Sequence, residues 1–189
     1  MNYQTTIGLE IHAELQTRTK MFCDSRNDST ETHPNVNICP ICMGHPGTLP
    51  VINRDAVTKV IAVGLALDGT IAKEAHFERK NYFYPDLPKG YQISQYAEPL
   101  VSGGGLTIVR ADGTIKRVRI TRVHLEEDTG RSLHEPKTKT TLLDFNRAGI
   151  PLMELVTEPD IANAVEARKF AEKLQLILQY LGASDANME

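Results

Sequence analysis

From Thr5 to Leu15 apolar and polar positions alternate, with Ile7, Leu9, Ile11, Ala13 and Leu15 on one side and Gly8, Glu10, His12 and Glu14 on the other. A period of two predicts a β-strand with one packed face and one face loaded with chemistry. Residues 16–50 show no period. They hold prolines, polar residues and all three cysteines, and predict an irregular excursion. At Asn53 the spacing becomes helical through Val57, Val60, Ile61, Gly64 and Leu65, which predicts a helix over 53–68 with Asn53 as N-cap and Gly69 as its terminator. Residues 77–100 are rich in Tyr, Pro and Gly and predict a structured loop. Two β runs then flank Asp112-Gly113, a hairpin signal. A further strand pair is expected within 140–158, turned at Arg147–Pro151. The last element is a helix over 163–181: Asn163 and Glu166 have capping-box spacing, Ala167, Phe170, Ala171, Leu174, Ile177, Leu178 and Leu181 form one stripe, and Gly182 ends it.

These elements predict an α+β fold, a mainly antiparallel sheet with flanking helices, without internal repeats. With 189 residues, 41% of them hydrophobic, the chain can bury a real core, as one large domain or two small ones. No apolar run approaches the roughly 18 residues of a membrane span, and the N-terminus has no basic region followed by an apolar stretch. An odd count of three cysteines argues against a secreted disulfide framework and for a reducing compartment, the cytoplasm or an organelle matrix. The net charge of −3 excludes a bulk electrostatic nucleic-acid binder. The closing GASDANME follows a helix pattern with no tail composition and reads as the end of an excised segment.

Three groups carry candidate chemistry. Glu10, His12 and Glu14 would project from one strand face within about 14 Å. His124 and Glu126 would share one side of a second strand, with Glu127 on the other and Asp128 beside them, and Glu154 and Glu158 lie in a third segment. Gathered on one sheet, such carboxylates must take up protons, pair with cations or bind a metal, and hard oxygen ligands suit Mg²⁺ beside phosphate. The same alternation also describes an ordinary solvated strand. Cys39-Pro-Ile-Cys42 is a tight turn that can grip Zn²⁺ with Cys23 as a third ligand. His33 and His45 are nearby candidates for a fourth, and buried reduced cysteines are the competing reading. In the aromatic segment, Tyr82, Lys80, Lys89 and Tyr91 could stack a base and hold a phosphate, or simply close turns and cap the core. Asp144, Asn146 and Arg147 offer either an anion clamp or a turn-stabilising pair. No phosphate-binding P-loop, dinucleotide fingerprint or amidase signature is present, and Gly103–Gly105 reads as a flexible turn.

The stretch LLDFNRAGIPLMELVTEPD (142–160) closely resembles the signature of the B subunits of glutamine-dependent tRNA amidotransferases. IGLEIHAEL, CPICMGHPGTLPVIN, RKNYFYPDLPKGYQISQY and VHLEEDTGRS agree in the same order and together cover essentially the whole chain. The resemblance implies an N-terminal catalytic cradle over residues 1–189, with the helical and tail domains that hold tRNA absent. It implies a carbon–nitrogen ligase in which the B subunit uses ATP to phosphorylate the side-chain carboxylate of Glu-tRNA(Gln) or Asp-tRNA(Asn). The amidase A subunit releases ammonia from glutamine, a tunnel delivers it, and a small C subunit completes the heterotrimer; an archaeal-type D subunit is the alternative partner. Carried over residue by residue, Glu10 and His12 lie in the family's EIH motif and Glu126 and Glu127 in its EED motif. Glu10, His12, Glu126 and Glu154 become the Mg²⁺ and ATP ligands, and Tyr82, Lys89, Tyr91 and Arg147 the contacts to nucleotide or acceptor end. Metal-binding members carry a Cys-x-Cys pair ahead of the CPxC turn, whereas Cys23 here is followed by Asp24 and Ser25, a departure that removes one ligand and weighs against zinc. The rival readings are a non-catalytic cradle for a tRNA acceptor end and an unrelated metallohydrolase.

Overall fold

A computed structural model describes residues 3–28 and 30–187 of the chain. The termini of the expected 1–189 cradle, Met1, Asn2, Met188 and Glu189, lie outside the described residues. The architecture is α+β, and every strand pairing is antiparallel.

The frame is a six-stranded sheet hung on one long strand, β7 (Ile115–Glu127). One edge of β7 pairs with β10 (Pro151–Thr157), which in turn pairs with β1 (Glu10–Glu14). Its other edge pairs first with β6 (Gly105–Val109) and then with β5 (Val101–Ser102), beyond which lies β2 (Thr70–Ile71). The hairpin expected at Asp112-Gly113 joins β6 to β7, with Gly113 at φ 82°. A bulge at Thr121, where Thr157 faces Ile120 and Val156 faces Arg122, shifts the alternation of β7. It lets Val118, Ile120, Val123 and Leu125 all enter the core and leaves Arg122, His124 and Glu126 together on the opposite face.

Helices α1 (Arg54–Ala66) and α2 (Ala164–Tyr180) cover the apolar face. Val60, Val63 and Leu67 from α1 and Phe170, Leu174 and Leu178 from α2 meet Val101, Leu106, Ile108 and Leu155 in one cluster; each such side chain contributes about 1.5–3 kcal/mol by leaving water. Asn53 caps α1 as the spacing predicts, accepting from the N–H groups of Asp55 and Ala56. The helix stops one residue earlier than expected. Asp68, not Gly69, takes the left-handed conformation (φ 54°), and Gly69 N–H returns to Gly64 O at 2.8 Å. On α2 Asn163 accepts from Glu166 N–H, while the Glu166 carboxylate reaches Ala162 N–H, one residue short of a full capping box. Gly182 ends this helix at φ 60°, and Ala171 of the expected stripe is exposed.

Three expectations are corrected. The aromatic segment is not a loop but a hairpin of β3 (Glu78–Asn81) and β4 (Tyr91–Ser94), and its tyrosines do not cap the core: Tyr82, Tyr84 and Tyr96 are exposed. The strands predicted within 140–158 both form, but not as a pair. β9 (Thr140–Asp144) joins β8 (Arg131–Glu135) in a separate hairpin, because β10 has both edges occupied inside the main sheet. Gly103–Gly105 is a close backbone approach more than a flexible turn. Gly104 sits at φ 98°, and a Cβ there would stand 2.5 Å from Leu67 O.

Candidate active site

The polar face of the sheet is assembled by register. In antiparallel strands, residues directly opposite each other share a face. His12 lies opposite Glu154, and Glu154 opposite His124, so one rung across β1, β10 and β7 reads His–Glu–His. The next rung carries Glu14, Leu152 and Glu126, and the one on the other side Glu10, Val156 and Arg122. Glu10, His12 and Glu154 bring ligand atoms within 4.8 Å of one another, and His124, Glu126 and Glu154 do the same. The acids and imidazoles singled out from three distant stretches therefore form two adjoining triads that share Glu154.

Charge in this basin is balanced locally. His12 Nε2 stands 3.3 Å from both Glu126 Oε1 and Glu154 Oε2, and the two carboxylates push its pKa up to about 10. Buried His124 is 3.4 Å from Glu154 and 3.8 Å from Glu126; burial opposes its charge, but the same carboxylates outweigh it and raise its pKa. Burial alone would raise Glu126, yet hydrogen bonds with His12, His124 and Ser94 hold it down at about 2. Glu154 is likewise lowered against its own burial. Ser94 Oγ, from β4, donates to Glu126 Oε2 at 2.9 Å and pins that carboxylate. The donor set also suits a hard divalent cation: ligands of an octahedral ion at 2.0–2.1 Å stand roughly 3–4.2 Å apart, which the 4.8 Å limits accommodate. Glu10, His12 and Glu154 could hold one ion, and His124, Glu126 and Glu154 another or the same ion shifted across Glu154.

Two cavities meet at the basin. One of about 1230 Å³ runs from Glu126 and His12 past Tyr82 towards α2. Another of about 390 Å³ lies at the Arg122 and Tyr96 end, with Glu154 and His124 in its wall.

Other candidates fall elsewhere. Glu127 points away from the basin and is buried, with its pKa raised by that burial; it accepts from Lys89 Nζ and, at 2.9 Å, from Ile93 N–H. Lys89 is thereby occupied, and Tyr91 lies beneath Arg79 and Lys89. Tyr82 stacks on Tyr84 and lines the larger cavity. Arg147 donates to Thr129 O and Gly130 O, both at 3.0 Å, and pairs with Asp128, so it braces the start of β8. Asp144 and Asn146 receive N–H groups of residues 35–37, tying down the cysteine loop. Glu158 accepts from Thr121, off the basin.

The three cysteines also converge, their sulfurs within 4.8 Å of one another. Neither His33, whose ring turns to Glu31, nor exposed His45 joins them. The fourth neighbour is Ser25, whose Oγ lies 3.9 Å from Cys42 Sγ, so three of the four ligands of a structural zinc are present. Fully buried Lys20 sends its Nζ to Cys42 Sγ (3.8 Å) and Phe145 O (3.2 Å). The Cys23 thiol, the Cys39 N–H and Lys20 keep Cys42 on the thiolate side, while Cys23 is pushed up.

Sequence reasoning did not single out Arg122 or Ser94, and it placed His124 beside Glu126 without making it a ligand. The alternation that placed Glu126 also carries Arg122, four residues before it. No local signal marks Ser94, which reaches the basin only because β3–β4 folds over β7, as does Lys80, named from the sequence only as a candidate for phosphate.

Comparison with known proteins identifies the family of the chain. Residues 5–189 match the family model described as the GatB/GatE catalytic domain. The B subunit of the aspartyl/glutamyl-tRNA(Asn/Gln) amidotransferase of Thermomicrobium roseum is 53% identical over 191 residues, covering 100% of this chain and 39% of the relative. The proteins of the same name from Methanospirillum hungatei and Halorhodospira halophila are 52% and 53% identical, with 98% and 100% of this chain and 40% and 39% of the relative covered. The chain thus spans about two fifths of the length of these relatives. On the extent of this match, the chain belongs to the GatB/GatE catalytic-domain family.

Proposed function

We propose that this chain carries the carboxylate-activating site of a tRNA-dependent amidotransferase, a carbon–nitrogen ligase that makes Gln-tRNA(Gln) or Asn-tRNA(Asn). The observation that carries the reading is the pair of metal-capable triads, Glu10–His12–Glu154 and His124–Glu126–Glu154, that share Glu154 across three strands between two cavities. In the first step an oxygen of the substrate's side-chain carboxylate forms a bond to the γ-phosphorus of ATP, the bond to the bridging oxygen breaks, and ADP leaves. In the second, ammonia forms the C–N bond, phosphate departs with its electron pair, and a proton passes to solvent. Mg²⁺, when bound, neutralises charge on the phosphoryl oxygens. The chain holds the ligands still: β-sheet register sets His12, Glu154 and His124, and Ser94 fixes Glu126.

Ammonia comes from a partner amidase A subunit, since the chain has no amidase signature; a small C subunit and tRNA-holding domains complete the assembly. Three free thiols fit a reducing compartment, the cytoplasm or an organelle matrix, and no helix among the described residues is long and apolar enough to cross a membrane.

The test is transfer of ³²P from [γ-³²P]ATP to misacylated tRNA by the reconstituted assembly. Glu126→Ala and Glu10→Ala should each lose amidation by about 10²-fold or more while still binding tRNA and partners. Wild-type amidation in both would remove the catalytic assignment and favour a cradle that only positions the acceptor end.

A further inference from the structure

The two cavities differ in charge. Acidic side chains in the wall of the larger number six (Glu10, Glu14, Glu126, Asp128, Glu172, Asp185) against Lys80, Arg168 and the imidazole of His12. In the smaller cavity Glu10, Glu78 and Glu154 are matched by Arg79, Lys80 and Arg122, with the imidazole of His124 beside them. Two of those cations have unspent capacity. The buried Nε of Arg122 has no hydrogen-bond partner, and the nearest carboxylate oxygen, Glu154 Oε1, is 3.7 Å from Nη2, beyond a good hydrogen bond. A guanidinium offers five N–H donors in a rigid fork that matches phosphate. Tyr96, an exposed ring 5.0 Å from the Arg122 Cζ, holds that fork by stacking without using a donor. Lys80 sits opposite Gln92 in the β3–β4 hairpin, on the face turned to β7, and forms no ion pair with any described residue. It lines both cavities, at their junction beside Glu10.

Building on the proposed activity, we infer that Arg122 and Lys80 are a cationic clamp for the nucleotide's polyphosphate, with Tyr96 positioning the Arg122 fork. The nucleotide then occupies the smaller cavity, and the aminoacyl end, with its α-amino group, enters the larger, acidic one. About 13 Å of β7 separates Arg122 from Glu126, so the metal-capable cluster lies between the two substrates, where the γ-phosphoryl group must change hands.

Equilibrium binding of MgATP, MgAMP and magnesium tripolyphosphate to the assembled amidotransferase tests this, with Mn²⁺ affinity read by electron paramagnetic resonance. Lys80→Ala and Arg122→Ala should each weaken ATP and tripolyphosphate about 10- to 100-fold, collapse the preference for ATP over AMP, and leave Mn²⁺ affinity within about threefold. Arg122→Lys should recover part of the loss, and Tyr96→Ala should fall between. If the wild-type assembly binds no nucleotide, both the activity and the clamp are wrong. If it binds MgATP and both alanine variants match it, the clamp alone is wrong. Should Arg122→Ala also lose Mn²⁺ through Glu154, Lys80→Ala decides, since Lys80 touches no member of the metal-capable cluster.

Discussion

Among the described residues, two places gather three or more metal-capable side chains within 4.8 Å, and they are built in opposite ways. The acid–histidine basin stands on three strands of one sheet, where register dictates which side chains face each other. The cysteine group stands on an irregular excursion, held by hydrogen bonds that the N–H groups of Val36 and Asn37 donate to Asn146 Oδ1 and by the buried Lys20 side chain. The basin opens onto two cavities, while the cysteine group lines neither. A sheet supplies precision without needing any one side chain to hold the site together; a loop must spend side chains on its own rigidity. That difference separates a site that faces open cavities from one that is wrapped in its own loop.

The sharpest test of this contrast is Lys20→Ala. It leaves the Cys42 thiolate buried without its cation, and breaking a buried pair costs about 3 kcal/mol or more. Urea unfolding should show that loss, while Mn²⁺ affinity at the basin stays within about twofold. Equal damage to both would mean that the two sites are one cooperative unit.

Glu127→Ala probes the connection between them. Glu127 holds β4 through Ile93 N–H and buries Lys89, so its removal should cost about 2–3 kcal/mol and speed amide exchange across Tyr91–Ser94. Protected amides in the variant would show that Ser94 and Gln92, which donate to Glu126 and to Glu127 O, suffice to anchor the hairpin to β7.

Ser25→Cys should raise zinc affinity roughly tenfold or more by completing a four-thiolate set, measured by competition with a chromogenic chelator. Unchanged affinity would place residue 25 outside the coordination sphere.

The smallest effect concerns pH. Hydrogen bonds from the Arg119 side chain and N–H hold Asp160 near 2, against 3.8 when unpaired. A depressed acid stabilises the fold above its unfolded value and loses that contribution as pH falls from about 4 towards 2. Because Arg119 is exposed, solvent screens the pair and the contribution is small. Asp160→Asn should remove that part of the acid-induced slope in thermal melts and leave neutral stability almost unchanged.

Local pattern was a good guide wherever one face meets the core. The alternation of Thr5–Leu15 and of β7 correctly sorted Glu10, His12, His124 and Glu126 from the neighbours that face the apolar core, since burial of Ala13, Leu15, Val123 and Leu125 dictates the phase. Caps were legible too, at Asn53, Asn163 and Gly182, because capping is chemistry between residues a few positions apart. The aromatic hairpin was missed because Pro and Gly dominate its turn, β3 is exposed throughout and β4 buries the polar Gln92 and Ser94, leaving no apolar stripe to read.

What the chain alone determined, then, is the class of each element and the residues offered by each polar face. Which strands became neighbours was decided by the tertiary structure. Pro151–Thr157 could have paired with Thr140–Asp144 next to it in sequence, but instead lies between β1 and β7, more than a hundred residues apart. That choice maximises burial of Met153 and Leu155, a long-range free energy that no local window contains, and it alone brings Glu154 between His12 and His124.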